Sequence, residues 1–133
     1  MRVTKIIKTE TAHRLFGYTG ACSNVHGHSY RFEITLEGDR LNKDGMVVDF
    51  KDIKLSIGNL INSMYDHVIV LNSVDPLVVT LSEMTKVHVM TKRNPTAENM
   101  ALDIKDLVMM KFPGMLYSIK VWETDSSFAE VLA

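Results

Sequence analysis

His26-Gly27-His28 places two imidazoles two residues apart. In an extended chain, residues i and i+2 point to the same face, so both rings can aim at one point. The glycine between them removes bulk and permits backbone angles closed to other residues. Two neutral imidazoles on an apolar face suit a metal ion. His13, at the end of a β-branched N-terminal segment, can add a third nitrogen if the two segments pair as a long hairpin. Three protein ligands with an open fourth position describe a catalytic zinc site rather than a closed structural one. On the pair alone, two ordinary polar histidines beside a turn fit equally well. His88, alone between Val87 and Val89, reads as structural or exposed.

Other groups could join this chemistry. Cys22 precedes His26 by four residues. It could be a fourth zinc ligand, or a thiolate acting as base or nucleophile beside a metal and imidazoles. Asp66-His67 follows a helical stretch, where a histidine can simply answer the helix dipole. Glu123 has the parity of Tyr117, Ile119 and Val121. It is therefore either a carboxylate on an apolar face, needing partners or a ligand, or a solvated residue just past the strand. Glu98 falls in a helix first turn, where an anion is favoured without any ligand.

Positioning these groups takes strands and helices that the pattern supplies. Residues 2–11 favour a strand by β-branched content. Residues 29–37 alternate, with Tyr30, Phe32, Ile34 and Leu36 on one face and Arg31, Glu33, Thr35 and Glu37 on the other. That alternation predicts a half-buried antiparallel strand. His26 and His28 share its apolar parity. Met46-Val47-Val48 can start a short strand after the turn chemistry of Asn42 to Gly45. Asp49 reads as an N-cap for an amphipathic helix over 50–64, built on Phe50, Ile53, Ile57, Leu60, Ile61 and Met64. Residues 67–72 and 87–91 are short apolar runs of undecided type. Asn94-Pro95-Thr96 opens a second helix with Ala97, Met100, Ala101, Ile104, Leu107 and Val108 inward, ended by Phe112-Pro113-Gly114. Residues 116–124 form a last strand. This order predicts an α+β chain, a mostly antiparallel sheet with helices on one face.

The 133 residues suggest a single domain, 1–133, large enough to bury a core. Hydrophobic residues make up 46% and charged residues 23%, the balance of a globular protein. The net charge is -1 with no block of like charges, which argues against a general nucleic-acid surface. No apolar run nears the roughly 18 residues of a membrane span. Met1 to Lys8 does not read as a signal peptide, and the single Cys22 excludes an internal disulfide. A cytoplasmic location is the resulting expectation.

Six motifs occur in an order that resembles the 6-pyruvoyltetrahydropterin synthase family, which includes the bacterial 6-carboxytetrahydropterin synthase of the queuosine pathway. They are Ala12-His13-Arg14-Leu15; Cys22 with His26-Gly27-His28; Val48-Asp49-Phe50 with Ile53-Lys54; Asp66-His67 with Leu71-Asn72; Pro95-Thr96-Ala97-Glu98-Asn99; and Trp122-Glu123-Thr124. Together they span nearly the whole chain.

The resemblance implies the tunnelling fold, a four-stranded antiparallel sheet with two helices on one face. Subunits would join their sheets into barrels, as a hexamer of two stacked trimers with active sites between subunits. It implies Zn2+ on His13, His26 and His28. Cys22 would be catalytic with Asp66 and His67 of a neighbouring subunit. Glu123 would anchor a pterin, helped by Thr96 and Glu98. The expected substrate is dihydroneopterin triphosphate, a small molecule, with no nucleic acid or membrane involved. Three residues separate Cys22 from His26, as in the queuosine-type branch, which favours a 6-carboxytetrahydropterin product over a 6-pyruvoyl one. A third reading is a non-catalytic zinc- or pterin-binding protein, but zinc binding alone would need none of Cys22, Asp66, His67 and Glu123. Two departures bear on substrate detail. Thr9 and Thr11 replace an aromatic residue and an alanine common in the family, and the stretch from Ser73 to Arg93 is longer than in compact members.

Overall fold

The computed structural model describes residues 1–133. Its centre is a long hairpin. Strand β1 (Arg2–His13) and strand β2 (His26–Glu37) pair antiparallel along their whole length, from Arg2 opposite Glu37 to His13 opposite His26. Period-two alternation buries Ile7, Thr9, Thr11 and His13 of β1 and Tyr30, Phe32, Ile34 and Leu36 of β2 on the same face.

Two long helices cover that face. Helix α1 spans 50–65. Its first turn, Phe50–Ile53, is α-helical and capped by Asp49, whose carboxylate accepts from the Lys51 N–H at 2.8 Å. A π turn, Lys54–Gly58, leads into the α-helical Asn59–Tyr65. A Cβ on Gly58 would lie 3.0 Å from Ile7 Cδ1, so the missing side chain lets this turn sit tightly against β1. Further along the chain come strand β3 (Val68–Asn72), a short helix α2 (Leu77–Ser82), strand β4 (Val87–Met90) and helix α3 (Ala97–Lys111). Strands β5 (Leu116–Thr124) and β6 (Ser127–Leu132) complete it. Ile53, Ile57 and Ile61 of α1 meet Met100, Ala101, Ile104 and Val108 of α3 over the sheet, in one core of 19 buried residues. No helix is long and apolar enough to cross a membrane.

The sheet runs β4-β3-β1-β2-β5-β6. Its antiparallel part, β1, β2, β5 and β6, is the expected four-stranded unit. Two short strands, β3 and β4, extend it beyond β1 in parallel, which makes the sheet six-stranded and mixed. The apolar runs at 67–72 and 87–91 are these strands. Strand β6 was not expected, because Ser127 to Leu132 alternates weakly and only its pairing with β5 makes it a strand. Met46 to Val48 is not a strand. Asn42 Oδ1 accepts from the N–H groups of Asp44 and Met46, folding the segment on itself with no neighbour to pair.

Candidate metal centre and active site

The full-length register of the hairpin puts His13 directly across from His26, with His28 two residues further along the same face. The three ring centroids lie 4.6 to 5.2 Å apart. Gly27 does not take a left-handed conformation. Its value is steric: a Cβ there would stand 3.0 Å from the Thr11 carbonyl oxygen. The expected freedom of backbone angle is replaced by close approach of two strands.

Tautomers follow from main-chain acceptors. His13 Nδ1 lies 2.7 Å from the Pro95 carbonyl, and His26 Nδ1 lies 2.7 Å from the Asn24 carbonyl. A carbonyl can only accept, so each Nδ1 carries the proton and each Nε2 keeps a lone pair. Those two Nε2 atoms face each other at 3.1 Å. Two lone pairs at that distance repel unless a cation lies between them. Nitrogens sharing one tetrahedral zinc stand about 3.3 Å apart. His28 Nε2 is a buried atom without a hydrogen-bond partner, although Glu123 Oε1 lies 2.8 Å away in a poor direction for one. Glu123 is also 3.5 Å from His13 Nε2. His13, His26, His28 and Glu123 thus offer four donor atoms within 4.8 Å of one another, a donor set that could hold a metal ion.

Burial holds the His13 imidazole below its ordinary value; His26 and His28 push the same way, against the Pro95 hydrogen bond and the Glu123 carboxylate. A neutral ring is the form a metal needs. Tyr30, buried beneath, brings its hydroxyl to 3.2 Å from His13 Nδ1. Burial, then the nearby Glu123 and Cys22, push the phenol upward, so it stays protonated.

The remaining predicted residues fall in three places. Cys22 sits half-buried in a 3-10 turn, Ala21–Ser23, outside the four-donor group. Its carbonyl accepts from the Leu15 N–H at 2.8 Å. Thr96 is the N-cap of α3, its hydroxyl accepting from the Asn99 N–H at 3.3 Å. Glu98, in the first turn, lines a small pocket of 120 Å³ with Glu123, Ala97 and Phe128. Asp66 and His67 are not part of the four-donor group. Asp66 ends α1 and accepts from the Glu10 N–H at 2.9 Å. His67 has a left-handed backbone, φ 54°, and a side chain 81% exposed. It borders a larger groove of 710 Å³ with Glu10, His28, Leu77 and Leu81. The chain therefore gathers the histidines and Glu123 by itself and leaves Asp66-His67 facing outward.

Sequence reasoning missed what fixes the ligands. Pro95 and Asn24 act through main-chain carbonyls, which leave no side-chain signal. Arg14, next to His13, forms a two-point ion pair with the buried Asp75, 2.6 and 2.5 Å. Only the fold brings that pair together.

Residues 2–133 match the family model described as 6-pyruvoyl tetrahydropterin synthase. The chain belongs to that family. A 6-carboxy-5,6,7,8-tetrahydropterin synthase of Rickettsia typhi is 33% identical, covering 98% of this chain and 99% of the relative. The human 6-pyruvoyl tetrahydrobiopterin synthase is 30% identical, covering 93% of this chain and 77% of its own. The Caenorhabditis elegans 6-pyruvoyl tetrahydropterin synthase structure superposes with a TM-score of 0.75 at 21% identity, over 100% of this chain and 95% of that one. At that identity the likeness shows the fold, and it is the α+β tunnelling fold of the 6-pyruvoyl tetrahydropterin synthase family.

Proposed function

We propose that this chain is a cytoplasmic, zinc-dependent 6-carboxy-5,6,7,8-tetrahydropterin synthase. It would convert dihydroneopterin triphosphate, with one water for atom balance, to 6-carboxytetrahydropterin, acetaldehyde and triphosphate, serving 7-deazaguanine (queuosine) synthesis. The observation that carries the reading is the convergence of His13, His26 and His28 with two Nε2 lone pairs opposed at 3.1 Å. Bound zinc supplies Lewis acidity toward the hydroxyls of the substrate's C6 side chain.

The chain's own residues do the rest. Glu123 lies where the imidazoles meet the 120 Å³ pocket. A carboxylate there can accept two donors from the amino-pyrimidinone edge of a pterin. Thr96 and Glu98 border the same end of α3 and assist in holding that edge. Cys22 removes a proton from the side chain of the substrate. His67, together with Asp66, serves as partner acid or base. Because His67 faces outward in its own chain, it works at the site of a neighbouring subunit, in a hexamer of stacked trimers. The Rickettsia typhi relative, matched almost end to end, supports the carboxy product, as does the short Cys22–His26 gap. The human relative keeps a 6-pyruvoyl product as the second reading.

Product analysis with dihydroneopterin triphosphate decides between them. Acetaldehyde with a carboxypterin is the expected result. A pyruvoyl pterin would replace the first reading by the second, and no turnover by zinc-loaded protein would sink both.

A further inference from the structure

Asn94 occupies an unusual position. Its side-chain amide meets both backbone groups of Phe16: Oδ1 accepts from the Phe16 N–H at 3.0 Å, and Nδ2 donates to the Phe16 carbonyl at 3.0 Å. These main-chain partners have fixed polarity, so the amide orientation is determined. Asn94 is itself held from two sides. The buried Asn72, at the end of β3, donates to Asn94 Oδ1 at 3.2 Å, and Asn99 in α3 donates to the Asn94 carbonyl at 2.9 Å.

Two paths lead from this residue toward the metal centre. Along the first, Phe16 adjoins Leu15, whose N–H donates to the carbonyl of Cys22 at 2.8 Å. Along the second, the next residue, Pro95, offers the carbonyl that fixes the His13 tautomer. The loop 14–25 has no other regular structure than one 3-10 turn, and its Phe16, Tyr18 and Val25 side chains are exposed. Its placement therefore depends on a few polar ties, of which the Asn94 pair is the one that grips its backbone twice.

We propose that Asn94 is a positioning residue that holds the 14–25 loop, and Cys22 with it, in register with the imidazole of His13. Its importance for turnover rests on the role given above to Cys22, but the placement does not. Cys22 is the only cysteine of the chain, so thiol labelling reports this loop alone.

The test uses zinc-loaded full-length protein, well below its unfolding temperature. Three quantities are measured for N94A, N94D and N72A: zinc per chain, the iodoacetamide alkylation rate of Cys22, and kcat and KM. N94A is expected to keep its zinc, because Pro95 holds His13 through the main chain. Its Cys22 alkylation rate should change about five-fold or more. Its kcat should drop about ten-fold or more with little change in KM, since small misplacements of a reacting group are costly. N94D keeps the acceptor but turns an oxygen toward the Phe16 carbonyl, and should follow N94A. N72A removes one support of Asn94 and should shift alkylation less, in the same direction; it carries the test if N94A does not fold.

Alkylation and kcat within about two-fold of the parent, or loss of zinc from N94A, overturns the proposal. So does N94D behaving as the parent. Should C22A retain turnover, the catalytic role of Cys22 fails, while the labelling result still decides the clamp.

Discussion

Which nitrogen of each histidine faces inward is settled by two carbonyl oxygens, those of Pro95 and Asn24. The spacing between ligands is settled by Gly27, whose Cβ position lies 3.0 Å from the Thr11 carbonyl oxygen of the paired strand. That neighbour is backbone and cannot swing away as a side-chain end would. G27A should therefore pry β1 from β2 at the ligands without removing any ligand side chain. The expected outcome is a folded protein whose zinc affinity falls about ten-fold or more. Competition with a chromogenic chelator measures it; unchanged affinity would mean the strands have slack that the geometry does not indicate.

At the scale of elements, the long hairpin supplies all three histidines, and β3 with β4 extends the sheet beyond it. His88 is the titratable group of that extension. It lies on β4 opposite Val70, its ring edge-on to the buried Tyr65 at 5.5 Å. Burial holds the imidazole below its ordinary value, Asp103 opposes, and Lys86 adds to the lowering. The folded chain therefore takes up this proton later than the unfolded chain as pH falls. Stability is unaffected by His88 above the unfolded value of about 6.5 and declines below it. H88F keeps the edge-on contact with Tyr65 and removes the titration. Urea midpoints from pH 8 to about 5.5 should fall less steeply in H88F than in the parent; equal slopes would show that β4 releases His88 to solvent.

The whole molecule has a covered face and an open one. Helices α1 and α3 cover one side of the sheet. The other carries Arg31 stacked on Trp122 at 4.4 Å, Trp122 against Phe128 at 4.3 Å, and a 46% exposed Phe128. The His67 side chain is also exposed, bordering the 710 Å³ groove. If the active site is shared between subunits, defects in different parts of it complement. Mixing C22A and H67A chains, after dissociation and reassembly, should restore about a quarter of parental activity, as each shared site draws an intact Cys22 about half the time and an intact neighbouring His67 about half the time. Size measurement by light scattering should give a hexamer. Two inactive variants that stay inactive when mixed as hybrids would place the whole reaction within one chain.

Legibility in the sequence varied with the range of the interaction. Local period and capping rules found the hairpin strands, Asp49 as a cap and both long helices, because each rests on residues a few positions apart. They also found His26 and His28, which one strand aligns. Hairpin pairing, strand parity and loop position offered His13, Glu123 and Cys22 as candidates, and the chain order of motifs implied their roles through resemblance. Other features needed the fold. Ser127 to Leu132 became a strand only by meeting β5, the 67–72 run became a parallel strand only beside β1, and the 87–91 run only beside β3. The same holds for the Asn94 clamp on Phe16, which joins residues 78 apart, and for the Arg14–Asp75 pair, 61 apart. Residue types and spacing thus determined which side chains could bind a metal. Which nitrogen each presents, and what keeps the loop beside them, was decided by main-chain carbonyls and distant amides, whose positions exist only once the chain has folded.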